Sequence, residues 1–431
     1  MIEQRTSQNR EIHEESHKII RDSIHGNIKF DNIYLALLEA PELQRLYNVK
    51  QLGLAHLVFP GAHHTRLEHS LGAFHIASQI TSMIPLDEAE QQLVRCAALL
   101  HDIGHGPFSH TLESILRESL NVDHVDLTEK LIQDEYSVFH NHESSLIAKN
   151  NRVSAILDNY HIDKKLLSDM IRGEVSERPY LGQLLNSVID VDQLDYLLRD
   201  AYYTGVSYGM VDLERFLQTL LINGNTLAMN RKGVGVVENI LMARALMYSS
   251  VYFHKTVRIA ELMLSKAIEK TDHSHPFDFF KMTDAELVSW LKDQGVFQHE
   301  IVTRLKYRQL FKQAYRLSPN MISDEQKSKV KKLEDVSFRR SQEKMLEESL
   351  NIPEGHIIID VPSQDIHQAE PRILETDFPI IDNDETKLLH DYTPVADAIR
   401  MRSIPEWDLM IATDARYRSV VADQAEDLLF S

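Results

Sequence analysis

Residues 96–110 read CAALLHDIGHGPFSH, and this stretch decides the fold. Asp87 is an N-cap candidate with Glu90 three residues on, so a helix opens just before it. Leu93, Ala97 and Leu100 then fall on one buried face, and Gly104 is placed to stop the helix. His101 and Asp102 therefore stand where the helix ends. A carboxylate there meets the negative end of the helix dipole. Ala97, Ala98, Leu99, Leu100 and Ile103 would also strip away its water, which is costly unless the charge is paired. A bound cation answers both costs. A buried His–Asp hydrogen bond answers them too, and is the commoner meaning of the dipeptide taken alone.

Two flanking stretches shift that balance. In FPGAHHTRLEHSLG (59–72), Thr65 and Glu68 form a capping box, so a helix starts there with Arg66 and His69 on a shared face. In SVIDVDQLDYLLRDAYYTG (187–205), Asp192, Tyr196 and Asp200 follow at i, i+4 and i+8. That stripe alone would read as a solvated face. In chain order the three pieces supply His69, then His101 and Asp102, then Asp192. Two imidazoles and two carboxylates suit Fe, Mn, Zn, Ni or Co, with Mg at a second, oxygen-rich position. Water on such a metal becomes a nucleophile, and His105 and His110 are placed for proton transfer.

The rest of the 431-residue chain sets the frame. Its net charge of −19 argues against a nucleic-acid partner, which needs a basic footprint. A lone Cys96 excludes an internal disulfide and a Cys-based zinc site and suits a reducing, cytoplasmic setting. The start is polar, and no apolar run is long enough for a membrane span. Residues 1–17 read as a loose N-terminus. Residues 19–30 carry a hairpin signal around His25-Gly26-Asn27. Helical patterns dominate to about 275 and continue, strongly charged, through 280–350. Strand-like runs appear at HIIIDVP (356–362), around Ile373 and at Phe378–Ile381. The expected fold class is mainly α: a helical core over 18–275 with a small N-terminal hairpin, then a mixed α+β C-terminal region over 276–431 serving oligomerisation or regulation. Arg244, Tyr248 and Tyr252 recur at i, i+4 and i+8, predicting one long helix whose stripe either faces a nucleotide or packs in the core.

On these words the sequence resembles the HD-domain superfamily of metal-dependent phosphohydrolases, and within it the deoxynucleoside triphosphate (dNTP) triphosphohydrolases. IRDSIHG (20–26), QRLYNVKQLG (44–53), DVDQLDYLLRD (190–200) and YFHKTV (252–257) extend the likeness over about 20–260. The resemblance implies a helical core, a divalent metal on His69, His101, Asp102 and Asp192, and catalytic support from His105, His110, His124 and Glu113. It implies phosphate contact by Arg66 and Arg244, and sugar contact by Gln51, Leu52, Tyr196 and Asp200. Tyr252 would fill the room that a 2′-hydroxyl needs, and Tyr248 would line the same pocket. Arg215, Lys232, His254 and Lys255 match cations of a regulatory nucleotide site, or are surface cations. Glu113 stands for the family's Asp, and Val125 follows His124 where relatives have Glu. Gln193 and Tyr248 replace a phosphate-binding Lys and a His. Arg21, Glu39 and Tyr47 depart from the family's guanine-nucleotide activator site. The implied reaction is hydrolysis at the α-phosphorus of a dNTP to deoxynucleoside and triphosphate, by a dimer or tetramer with nucleotide activators. A nucleotidase or phosphodiesterase on the same scaffold, or a nucleotide-sensing protein, are the alternatives.

Overall fold

The structure, a computed structural model, describes residues 17–108, 122–271, 278–318, 322–361, 375–383, 385–401 and 407–430. Of the loose segment expected over 1–17, His17 instead begins a strand and residues 1–16 lie outside the described residues, as do the strand at Ile373 and His110 and Glu113 as catalytic groups.

The expected hairpin is present: β1 (His17–Asp22) pairs antiparallel with β2 (Gly26–Asp31), turning at Gly26 with φ +78°. α1 (Asn32–Leu38) follows. α2 (Arg66–Met83) starts at the anticipated capping box. Glu68 N donates to Thr65 Oγ1, and the Glu68 carboxylate accepts from Thr65 N at 2.7 Å. Apolar residues bury this helix nearly all round, as its central position requires. α3 (Glu88–Leu100) opens on the Asp87/Glu90 box, and His101 caps its end. α4 (His124–Ile132) begins with a third box, Asp123/Asp126. α5 (Val191–Thr204) is capped by Asp190, and Gly205 ends it in the left-handed region that favours glycine. α3 and α5 both pack on α2, so the ends of three helices meet.

The expected long helix through Arg244 and Tyr252 is instead broken. α6 (Val234–Met247) gives way to a π turn over Tyr248–Tyr252, and α7 (Lys255–Glu269) restarts after His254. A wider turn re-aims side chains that α spacing would have stacked, a device common at functional sites.

The C-terminal part is mixed, as read. α8 (Asp284–Lys292) and α9 (Val296–Lys306) lead into β3 (Lys312–Leu317), a strand inside the segment expected to be wholly helical. β3 pairs with the strand Leu409–Thr413, which also pairs with Ile357–Asp360. That fully buried partner holds β3 extended. A second sheet joins Thr226–Asn230 in parallel with Pro379–Asp382, so Phe378 and Ile380 lie in the same core as α2 and α5. A second core gathers Leu54, Phe108 and Leu127 with Ile259, Met263, Phe279 and Leu287.

Candidate metal centre and nucleotide pocket

The His–Asp pair sits on a tightly built turn. His101 Nδ1 donates to Ala98 O at 2.9 Å, which leaves Nε2 as the free ring nitrogen. Thr128 Oγ1 donates to His101 O and accepts from Gly104 N. A Cβ on Gly104 would lie 2.2 Å from His124 O, so only glycine lets α4 approach so closely. Arg66 Nη1 donates to Asp102 Oδ2 at 2.5 Å. The guanidinium thus supplies part of the cation that the sequence asked for at this carboxylate.

His69 Nδ1 lies 2.8 Å from Asp195 Oδ2. A carboxylate can only accept there, so Nδ1 carries the proton and Nε2 faces inward, as for a metal-ligating imidazole. His69 Nε2 is 2.9 Å from Asp192 Oδ1 and 3.2 Å from His101 Nε2. His101 Nε2 is 3.7 Å from Asp192 Oδ1 and 3.4 Å from Asp102 Oδ1. His69 Nε2 is 3.8 Å from Asp102 Oδ2. Ligands held at about 2.1 Å and at right angles around a divalent cation lie about 3 Å apart. Two acceptor nitrogens facing each other beside two carboxylates need a cation or protons between them, so the donor set fits a divalent metal.

The electrostatics agree. Burial pushes His69 down, but Asp192 and Asp195 outweigh it and hold the imidazole up at about 10. Burial likewise opposes protonation of His101, and Asp102 and Asp192 raise it. Burial would raise the Asp102 and Asp192 carboxyls. Arg66 with His101 holds Asp102 well below the ordinary range, and His101 with His69 lowers Asp192. His105, 3.3 Å from Asp102 Oδ1, is driven well below its ordinary value by burial and by Arg66. Its ring stacks on His124 at 3.9 Å, and Asp102, His105 and His124 form a second group that could hold a cation.

The sequence reading missed the support behind His69. Asp195 also accepts from Arg199 Nε (2.8 Å) and lies 2.6 Å from His25 Nε2; Arg199 in turn donates to Asp22 at 2.8 Å. The available signal was Asp195–Arg199, an opposite-charge pair at i, i+4 on α5.

The residues expected to hold the nucleotide are placed as follows. Tyr252 Oη donates to Asp200 Oδ2 at 2.7 Å, and His64 Nε2 lies 2.7 Å from Asp200 Oδ1. Burial and Asp200 push the Tyr252 phenol far above its ordinary value, so it stays a donor. Tyr196 and Tyr248 meet the Tyr252 ring edge-on. Gln51 is buried with no hydrogen-bond partner for Oε1, and Leu52 packs beside Ala55 and Ala62. Arg244 is wholly buried. It donates to Val188 O (2.8 Å), Glu375 O (2.8 Å) and Gln193 Oε1 (3.2 Å). Arg215 Nη2 donates to Lys232 O, and His254 caps α7, whose first residue is Lys255.

The chain matches known families and proteins. The HD domain family matches residues 66–200, and the HD associated region matches 211–430. An uncharacterized protein of Methanocaldococcus jannaschii is 32% identical over 401 residues, covering 91% of this chain and 78% of its own length. A Dictyostelium discoideum protein named deoxynucleoside triphosphate triphosphohydrolase SAMHD1 homolog is 28% identical, covering 69% of this chain and 60% of its own length. The crystal structure of a hypothetical protein from Aquifex aeolicus superposes with a TM-score of 0.69 at 27% identity, covering 95% of this chain and all of that one. Among the described residues no helix is long and apolar enough to cross a membrane. With the His/Asp centre inside the matched HD domain and the associated region following it, the chain belongs to the HD-domain phosphohydrolase family.

Proposed function

We propose that this protein hydrolyses deoxynucleoside triphosphates to deoxynucleoside and triphosphate. The observation that carries the reading is a single face of α5. There Asp192 meets His69 and His101, and two turns on Asp200 meets Tyr252 and His64. A hydrolytic centre and a crowded, hydrogen-bonding sugar wall thus share one helix.

His69, His101, Asp102 and Asp192 would hold the divalent metal, which when bound acidifies water and polarises a phosphoryl oxygen. Arg66, already against Asp102, neutralises charge on the phosphate. His105, kept neutral by burial and by Arg66, and its stacked neighbour His124 move a proton to or from the 5′-oxygen. His110 and Glu113 support the same step. Gln51, Leu52, Tyr196 and Asp200 hold the deoxyribose, with Tyr248 and Tyr252 closing the pocket. Arg244, read from its stripe with Tyr248 and Tyr252, is the further phosphate contact. The same reading carries a cytoplasmic homo-oligomer, dimer or tetramer, with a nucleotide activator at Arg215, Lys232, His254 and Lys255.

One observation favours a second reading. Arg244 donates to two backbone carbonyls and to Gln193, the residue that replaces the family's phosphate-binding Lys. A pocket with less cation for a triphosphate suits a nucleotidase or phosphodiesterase. Product analysis decides. Each dNTP is incubated, alone and mixed, with protein loaded with Mn, Mg, Fe, Zn, Ni or Co. Deoxynucleoside plus triphosphate supports the proposal; inorganic phosphate or a monophosphate overturns it.

A further inference from the structure

The loop that carries the His–Asp pair is held from two sides by residues outside the metal centre. On one side Arg45 Nη2 donates to His105 O at 2.6 Å and to Ile103 O at 3.1 Å. On the other stands Asp284, the first residue of α8, which is buried. Its Oδ1 accepts from Phe108 N at 2.8 Å, and its Oδ2 accepts from Lys50 N at 3.1 Å.

Both donors lie at significant places. Phe108 lies on the loop that starts at His101. Its φ is +51°, a left-handed conformation that a bulky residue adopts only where its surroundings impose it. Its ring lies in the second core with Leu287, Phe279 and Ile259. Lys50 directly precedes Gln51 and bridges to Thr65. Gln51 N donates to His64 O, and Arg66 N donates to Val49 O. One carboxylate therefore ties the segment that carries Gln51 and enters α2 to the loop that carries His101, Asp102 and His105.

The helix does not need this carboxylate for its own start. Thr283 caps α8, and Glu286 accepts from Thr283 N (2.7 Å) and Oγ1 (2.8 Å). The Asp284 side chain is thus left to the two foreign amides. Two N–H donors converging on one side chain call for two acceptor atoms, which a carboxylate offers and a carboxamide does not.

We propose that Asp284 is a positioning residue. It sets the spacing between loop 101–108 and segment 49–51, so that the HD associated region shares in holding the phosphohydrolase site in register. The inference rests on the reading of that site as a working hydrolase, and its test separates the two.

Full-length wild type, Asp284→Asn and the control Glu286→Gln are compared by amide hydrogen exchange and by metal-saturated dNTP kinetics. In Asp284→Asn, exchange should accelerate together in peptides spanning 49–52 and 101–108. kcat should fall at least tenfold, while metal affinity stays within twofold of wild type. Glu286→Gln should loosen only the start of α8 and leave kcat unchanged. If Asp284→Asn does not fold, Asp284→Ser, which keeps one acceptor, replaces it. Wild-type exchange in either segment, or a kcat within twofold of wild type, overturns the proposal. A wild type inactive on every dNTP sinks the substrate reading instead, and the exchange result alone then decides the role of Asp284.

Discussion

Adding one methyl group at Gly72 tests whether the buried charges behind His69 hold the metal centre together. Gly72 lies on α2, three residues after His69, within an apolar helix where alanine would ordinarily gain about 1 kcal/mol over glycine. Here the added Cβ would sit 1.8 Å from Asp195 Oδ1 and 2.4 Å from Arg199 Nη2. Tight contact ends at 3.4 Å, so 3.4 Å less 1.8 Å requires the carboxylate to withdraw by roughly 1.6 Å. That movement breaks the 2.8 Å bonds to His69 Nδ1 and Arg199 Nε. Separating a fully buried ion pair costs about 3–5 kcal/mol. Set against the helix gain, Gly72→Ala should destabilise the protein by about 2–4 kcal/mol. His69 also loses the acceptor that fixes its tautomer, so metal affinity should fall roughly 10- to 100-fold. Denaturant titration and competition with a chelator measure the two effects. Gly235→Ala is the control, since it lies on α6 with open space around the new methyl and should be neutral or stabilising. If Gly72→Ala behaves like Gly235→Ala, with unchanged metal affinity, Asp195 and Arg199 do not position His69.

Three further outcomes are expected. Asp192→Ala, or the paired change of His101 and Asp102 to Ala, should bring bound metal and turnover to background while circular dichroism stays that of wild type; normal turnover in either variant would refute the site. Tyr252→Ala should raise ribonucleotide relative to deoxyribonucleotide turnover, because the ring bonded to Asp200 is removed from the proposed sugar site; an unchanged ratio in paired kcat/KM measurements rejects that role. Asp414→Asn should lower stability near neutral pH. Burial raises the Asp414 carboxyl, but Arg416 and Arg304 outweigh it and lower it to about 2. Its stabilisation is therefore complete above the unfolded value near 3.8 and lost as pH falls through about 2. Variant and wild-type melting temperatures should converge over that window, and a gap independent of pH would contradict the assignment.

The parts of this molecule that were legible in the sequence are those governed by local rules. Thr65/Glu68 and Asp87/Glu90 bond within one turn, so the starts of α2 and α3 follow from four residues each. His69, His101 and Asp192 converge because those helices end or cross at a common place, and the order of the motif words carried that information. What escaped depends on partners far along the chain. β3 is extended because Leu409–Thr413 lies beside it, which nothing within Lys312–Leu317 announces. The π turn at Tyr248–Tyr252 has no marker as plain as a proline. Asp195 looked like one more polar residue on α5, because its donors His25, His69 and Arg199 come from three elements. Asp284 was invisible for the same reason: its two amides are 176 and 234 residues away.

The charges also show what this cluster asks of a cation. Asp22, Asp102, Asp192, Asp195 and Asp200 converge on this region, and Arg66 and Arg199 are the guanidiniums bonded to them. Five carboxylates against two permanent cations leave a deficit that a low-dielectric interior does not tolerate. Asp192 and Asp195 raise His69 to about 10 against the pull of burial, so a proton on this imidazole can meet part of that deficit. With Nδ1 donating to Asp195, such a proton on His69 would occupy the Nε2 atom that a metal needs. Protonation and metal binding are thus two ways of meeting one electrostatic demand, and each excludes the other at the same atoms. Asp195 takes part in both, because it keeps Nδ1 protonated and so reserves Nε2 for whichever cation arrives. Asp102 at the end of an apolar helix, the feature that first set residues 96–110 apart, is thus one part of a shared demand for positive charge that a divalent cation would meet.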